Sequence, residues 1–243
     1  MGKRFCQDYQ VTFNDCDVTG QFKLPQLVSL LLEVSAQQSK NLGLGDEELF
    51  KRYNLIWIVT DYDMTITRLP ALSEHLQLET EALSYNRLFC YRRFSIFDED
   101  HQEIVQLIAT FALIDFDERK LQTVPEDLIK VYEATKSKKL LRGPKYHPIE
   151  TPMCQPYQVS YFDLDLNGHV NNSRYLEWLY ANFDLDFLRQ HYPKKLHLHF
   201  NKEVYYGQTV ESCLVLDNNL SQHEIRVDGQ VHAQAQIEWK ERT

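Results

Sequence analysis

"YQVSYFDLDLNGHVNN" runs from Tyr157 to Asn172, and "YQVTFNDCDVTGQFKL", from Tyr9 to Leu24, aligns with it without a gap at an offset of 148 residues. Internal repeats set architecture, so this pair is the place to begin. Each copy leads into an amphipathic helix. After the first, Pro25 sits where a helix tolerates it, in the opening turn. Leu27, Leu30, Leu31 and Val34 then recur at i, i+3, i+4 and i+7, and Gly43 is a stop. After the second copy, Asn171 or Asn172 can cap "NNSRYLEWLYANFDLDFL", with Leu176, Leu179 and Phe183 as its buried stripe.

Strands follow each helix. In the first half they are "LIWIVTDYDMTITRL", "EHLQLETEALSY", "LFCYRRFSIFD" and "EIVQLIATFALIDF"; in the second, "KLHLHFNKEVYY", "TVESCLVLDNN", "HEIRVD" and "QVHAQAQIEWKE". Many alternate apolar and polar residues, the period of a half-buried antiparallel strand. Asp228-Gly229 is a tight-hairpin signal. The order is strand, long helix and about four strands, performed twice. This predicts an α+β fold in which each of two long helices is wrapped by an antiparallel sheet. The halves then pack as an intramolecular pseudo-dimer. The divisions expected are 1–118, a polar linker over 119–154 with a short helix in "PEDLIKVYEATKS", and 155–243.

Composition narrows the function. The chain has 243 residues, 43% hydrophobic and 25% charged, as in ordinary globular proteins. No apolar run is long enough to span a membrane, and "MGKRFCQDYQ" lacks the apolar core of a secretory signal; the expected location is the cytoplasm. A net charge of −9 argues against nucleic acid as a partner. Five cysteines without paired spacing read as reduced packing residues. No P-loop, G-x-G-x-x-G or G-x-S-x-G pattern occurs. His197 and His199 share a strand face but lack a third ligand of suitable spacing, so neither metal nor cofactor is expected. The basic stretch "KSKKLLRGPK" (Lys136 to Lys145) is either a solvated face or a docking patch for an acidic partner.

Chemistry concentrates in "DLDLNGHVNN". Asp165, Asn167 and His169 stand two residues apart, so an extended segment turns all three the same way. They precede a helix N-terminus, which favours developing negative charge. His supplies a group that titrates near neutrality. The first copy keeps Asp15, Asp17 and Gly20 but carries Thr19 and Gln21 where the second has Asn167 and His169. Residues needed only for folding would be wanted in both halves, so one working site is expected, in the second half. Hydrolysis also needs a proton acceptor. Glu203, in the apolar setting of "HFNKEVYYG", is either a surface acid or that acceptor.

The motif "DLDLNGHVNNSRYLEWL" resembles the D-x-N-x-H-V-N-N signature of the acyl-acyl carrier protein thioesterases, and the likeness extends from about Tyr9 to Glu238. "NLIWIVTDYDMTITRLP" is similar to the family's Trp-bearing strand. "HFNKEVYYGQTVES" falls where the family has a Glu-Cys pair, matched here by Glu203 and Val204. The resemblance implies a tandem hot-dog fold and a catalytic group of Asp165, Asn167, His169 and Glu203. It also implies activated water rather than a cysteine nucleophile, since Val204 stands at the cysteine position. The reaction implied is hydrolysis of fatty acyl thioesters on acyl carrier protein, the expected partner. The residues leave open which of His169 and Glu203 takes the proton, and whether the chain forms a homodimer. Chloroplast members begin with a transit peptide, so a start so near the first strand suggests a bacterial version. In the first half, Trp57, Ile58 and Met64 are candidates to line an acyl tunnel. An acyl-coenzyme A thioesterase and a non-catalytic acyl-binding sensor are the alternatives.

Overall fold

The computed structural model describes residues 2–141, 143–166 and 168–242, so the Asn167 expectation falls outside the described residues. The first half comprises β1 (Arg4–Gln10), α1 (Leu24–Asn41), α2 (Asp46–Tyr53), β2 (Leu55–Ile66), β3 (His75–Tyr85), β4 (Phe89–Phe97) and β5 (Glu103–Asp115). The connection holds β6 (Leu121–Gln122), α3 (Glu126–Lys130) and β7 (Thr135–Lys136). The second half comprises β8 (Met153–Gln158), α4 (Asn172–Tyr180), α5 (Leu185–Gln190), β9 (His191–Phe200), β10 (Thr209–Asp217), β11 (Leu220–Val227) and β12 (Gln230–Glu241).

The sheet order is β1-β3-β4-β5-β2-β9-β12-β11-β10-β8. It reads alike from either end. In each half the strand before the helix forms an outer edge and the strand after it reaches the middle. There β2 pairs antiparallel with β9, joining the halves into one sheet. The seam carries a histidine–carboxylate pair: Asp61 Oδ1 lies 2.7 Å from His199 Nδ1. Burial works to raise the Asp61 pKa, but the His199 contact holds it below its ordinary value; the same bond raises that of His199. Beside it, Tyr146 OH lies 2.5 Å from His197 Nδ1, so both imidazoles have protein partners.

Both helices press their apolar stripes into one core. From α1 come Leu27, Val28, Leu31 and Val34; from α4, Tyr175, Leu176 and Leu179. This is the double hot-dog that the repeat predicts. The second helix is shorter than its periodicity suggests. The chain breaks after Tyr180 because polar side chains satisfy the backbone otherwise. Ser212 Oγ donates to Trp178 O at 2.8 Å while accepting from the Asn182 amide at 2.7 Å, and the Asp184 carboxylate caps α5 by accepting from Phe187 N–H at 2.7 Å. Phe183 leaves the helical stripe and stacks on Phe187. Asp228 and Gly229 both adopt positive φ, 50° and 72°, as the predicted hairpin requires.

The cysteine expectation needs correction. Cys154 on β8 and Cys213 on β10 stand directly opposite and form a disulfide, with Cα atoms 4.0 Å apart. Their sequence separation of 59 hides a pairing that only sheet register creates. Cys6, Cys16 and Cys90 are free. Thiol titration of the denatured, unreduced protein should therefore find three thiols, rising to five after reduction. Five at the outset would mean that the bridge does not form. Among the described residues no helix is long and apolar enough to cross a membrane.

Candidate active site

The repeat folds alike in both copies. In the second, Asp165 N–H donates to His169 O at 2.8 Å and Gly168 N–H to Asp165 O at 3.1 Å. In the first, Asp17 N–H donates to Gln21 O at 2.8 Å and Gly20 N–H to Asp17 O at 3.0 Å. Both glycines take left-handed φ, 76° at Gly20 and 78° at Gly168, a conformation that favours glycine. Upstream, Thr12–Asp15 and Ser160–Asp163 form equivalent capping boxes. These shared residues are structural, and they account for the parts of the repeat that match.

The copies part where chemistry is concerned. His169 bridges to Tyr205 as Gln21 bridges to Ala71. Likewise Val170 N–H donates to Val204 O as Phe22 N–H donates to Pro70 O. By this correspondence Glu203 matches Leu69, which is buried in the core. The first site therefore offers Gln21 and Leu69 where the second offers His169 and Glu203.

His169 Nε2 lies 3.6 Å from Glu203 Oε2, adjacent but beyond a direct hydrogen bond. Tyr205 OH donates to Glu203 Oε2 at 3.0 Å. Glu203 is not on a strand, contrary to the pattern of "KLHLHFNKEVYY". β9 ends at Phe200, and Asn201 and Lys202 both turn their N–H groups onto His232 O. The imidazole of His232 also donates from Nδ1 to Glu203 O at 2.9 Å. One β12 residue thus grips the loop at three points and fixes where the carboxylate emerges. Asp165 accepts from His169 N–H at 3.2 Å through Oδ1, which holds the turn that presents the imidazole. The start of α4 is partly self-satisfied, because Asn171 Oδ1 takes the Ser173 N–H at 2.9 Å.

Arg119 was missed by the sequence reading. It lies just past β5 of the first half, at a φ of 55° where the turn closes on Asp115 O. Its Nη2 hydrogen-bonds Glu203 Oε1 in a direct ion pair and lies 3.4 Å from His169 Nε2. Arginine can only donate, so that second contact is a hydrogen bond when Nε2 is unprotonated. The first half repeats the device: Arg242, just past β12, hydrogen-bonds Gln21 Oε1. Each site receives an arginine from the opposite half. A signal for it exists, since "IDFDER" (Ile114 to Arg119) and "IEWKER" (Ile237 to Arg242) form a second, weaker repeat.

A cavity of about 840 Å³ opens beside the site. Its walls include Trp57, Val59, Phe111 and Ile129 from the first half and Leu164, Asp165 and Asn171 from the His169 loop. It touches the site through that loop rather than through His169 or Glu203 themselves. Of the three tunnel candidates Trp57 lines it; Ile58 does not, and Met64 is buried in the main core.

Residues 2–132 match the acyl-ACP thioesterase N-terminal domain and residues 146–241 the acyl-ACP thioesterase C-terminal domain. Among relatives, a chloroplastic acyl-[acyl-carrier-protein] hydrolase of Cuphea viscosissima is 23% identical over 98% of this chain and 63% of its own. A chloroplastic palmitoyl-acyl carrier protein thioesterase of Gossypium hirsutum is 22% identical over 93% of this chain and 58% of its own. The chain thus spans about three fifths of the length of these relatives. Among solved structures, a protein assigned as an oleoyl thioesterase from Lactobacillus plantarum superposes with a TM-score of 0.93 at 28% identity, covering 100% of this chain and 98% of that one. The 12:0-ACP thioesterase of Umbellularia californica, at 16% identity, a TM-score of 0.88 and 98% coverage of both chains, shares the fold. With both domain models matched in order along one double hot-dog, this chain belongs to the acyl-ACP thioesterase family.

Proposed function

We propose that the protein hydrolyses fatty acyl thioesters of acyl carrier protein, releasing a free fatty acid and the carrier thiol. The reading is carried by the convergence of His169, Glu203, Tyr205 and Arg119 beside a mainly apolar cavity that abuts the same loop. Glu203 takes a proton from water as the oxygen attacks the thioester carbonyl. The tetrahedral intermediate then collapses with cleavage of the C–S bond, and the proton passes to the leaving sulfur. His169 and Asn167 position the attacking water and the thioester, and Asp165 holds the turn that carries them. Arg119 keeps the Glu203 carboxylate in place and supplies positive charge near the developing oxyanion. The acyl chain extends into the cavity of the first half.

Turnover of a graded series of acyl chains, each offered on acyl carrier protein and on coenzyme A, tests this reading. Release of thiol with preference for the protein-borne series is expected. Preference for coenzyme A would move the protein to the acyl-coenzyme A thioesterases, and binding without thiol release would make it a sensor.

Carrier docking is proposed on the linker. Lys138 and Lys139 are exposed there, whereas Lys136 pairs with Glu126 and Lys194 with Glu238. Charge complementarity with an acidic carrier acts mainly on encounter. Reversing both charges (K138E with K139E) should raise KM several-fold with kcat preserved, and added salt should shrink the difference. A KM indifferent to both changes removes this surface from docking.

A further inference from the structure

Two arginines stand side by side on β4 and point to opposite faces. Arg93, partly buried, meets Glu81 Oε2 at 3.2 Å and Glu79 Oε1 at 3.9 Å, a cation with two counterions. Arg92 faces inward, is only 8% exposed and lines the large cavity. Its Nη1 donates to Gln38 Oε1 at 2.5 Å and Thr80 Oγ1 at 3.0 Å, and the guanidinium lies 5.2 Å from the centre of the Tyr132 ring. A guanidinium has five N–H donors. Among the described residues, Nε and Nη2 have no acceptor, and no carboxylate pairs with the group. Burial works against its charge. A cavity meant only for hydrocarbon would gain from leucine here, since burying a guanidinium without a counterion is costly.

We propose that the cavity takes acyl chains bearing a hydrogen-bond-accepting oxygen, which Arg92 binds through the donors left over from Gln38 and Thr80. This rests on the thioesterase reading for the identity of the chain's other end. Sheet register places the oxygen. Arg92 stands opposite Ala109 on β5, and Ala109 opposite Tyr62 on β2. Tyr62 packs on Phe200, just before the Glu203 loop. Arg92 is therefore two strand spacings, about 10 Å, across the sheet from that lane, and it meets the chain well away from the thioester. The fixed neutral acceptors on Nη1 suit a further neutral oxygen, a hydroxyl or oxo group. A chain ending in carboxylate presents the same acceptor chemistry with added charge.

The test compares three carrier-bound chains of equal length: unsubstituted, mid-chain hydroxylated and carboxylate-terminated. Wild-type kcat/KM for an oxygenated chain should exceed that for the unsubstituted one by at least about tenfold, the scale of a hydrogen bond to a charged group. R92M, similar in length and apolar, should erase that ratio; which oxygenated chain loses more tells hydroxyl from carboxylate. Equal wild-type turnover of all three, or a ratio that survives in R92M, overturns the assignment. A parallel measurement needs no variant: wild-type protein should bind the free hydroxy acid at least about tenfold more tightly than the unsubstituted acid. This arm also decides the matter if no thioester is cleaved, in which case the hydrolase reading fails separately. Equal binding of these two acids and of the dicarboxylic acid of the same length would sink the role of Arg92.

Discussion

Replacing Glu203 by Gln is expected to lower turnover of acyl-carrier substrate by about 10²- to 10⁴-fold, the contribution of a positioned acid–base group. The substitution tests chemistry rather than shape. Glutamine can still accept through its carbonyl oxygen from either Arg119 or Tyr205, the groups that now hold the carboxylate. What it loses is the negative charge and the capacity to take a proton. His169→Ala should fall in the same range, because the imidazole Nε2 lies 3.6 Å from Glu203, close enough to act with it in the proposed mechanism. The double variant should be little worse than either alone, since groups that act as a unit are not additive. Arg119→Met should cost less, about 10-fold to 100-fold, because it removes a clamp and an electrostatic aid but no proton carrier. The pseudo-symmetric controls are Gln21→Ala and Leu69→Gln in the first half. Neither position reaches the Glu203 pocket, so Gln21→Ala should leave kcat within about twofold. Leu69→Gln should affect folding stability before catalysis, since it buries an amide in the core. Near-normal turnover in both Glu203→Gln and His169→Ala would refute the assignment. A large loss at Gln21 would refute the idea of a single site.

That asymmetry was legible in sixteen residues of sequence because the repeat sets the proposed site, with Asn167 and His169, beside a copy that carries Thr19 and Gln21 instead. Asp165 and Asp17 make the same turn, and Gly168 and Gly20 the same left-handed bend, so what survives in both copies is scaffold. What differs is chemistry. The comparison reaches only as far as the aligned segment, however. Leu69 was not recognised as the counterpart of Glu203 because the two lie in loops whose equivalence appears only through strand bridges. Arg119 stands in a second, weaker repeat, but the sites that this repeat serves are hidden for a related reason. The arginine is 50 residues from His169 and 84 from Glu203, and reaches them across the pseudo-twofold axis. Hydrophobic periodicity reports which face of an element is buried. It does not report which element of the other half arrives there. The same limit hid the Cys154–Cys213 bridge, and it placed Glu203 on a strand when His232 in fact ends that strand and holds the loop.

Acidification should unfold this protein through His223. The imidazole is 1% exposed on β11, and burial alone pushes its pKa down to about 3. Nε2 lies 2.8 Å from Ser221 Oγ, which also accepts from the Trp239 indole N–H at 2.8 Å. Nδ1 is buried without a partner among the described residues. No acceptor therefore awaits a second proton. Glu224, next along the strand, has its carboxylate engaged by Arg226, and Phe183 presents a ring. A histidine with a depressed folded pKa contributes stability above its unfolded value, near 6.5, and loses it as pH falls toward the folded value. Each pH unit between those limits is worth about 1.4 kcal/mol. From pH 6.5, where the unfolded imidazole is half protonated, to pH 4.5 the loss is about 2 kcal/mol, and over the whole window about 5 kcal/mol. Total stabilities run only about 5–15 kcal/mol. Burial lowers the pKa of His197 and His232 as well, so their sign is the same. His223→Gln removes the titration while keeping an acceptor near Ser221. Denaturant unfolding at pH 6.5 and 4.5 should show the wild type losing about 2 kcal/mol more than the variant between the two, whatever their relative stability at neutral pH. Carboxylate contributions are common to both proteins and cancel in that difference. Parallel stability curves would mean that His223 is protonated, or hydrated, in the folded state.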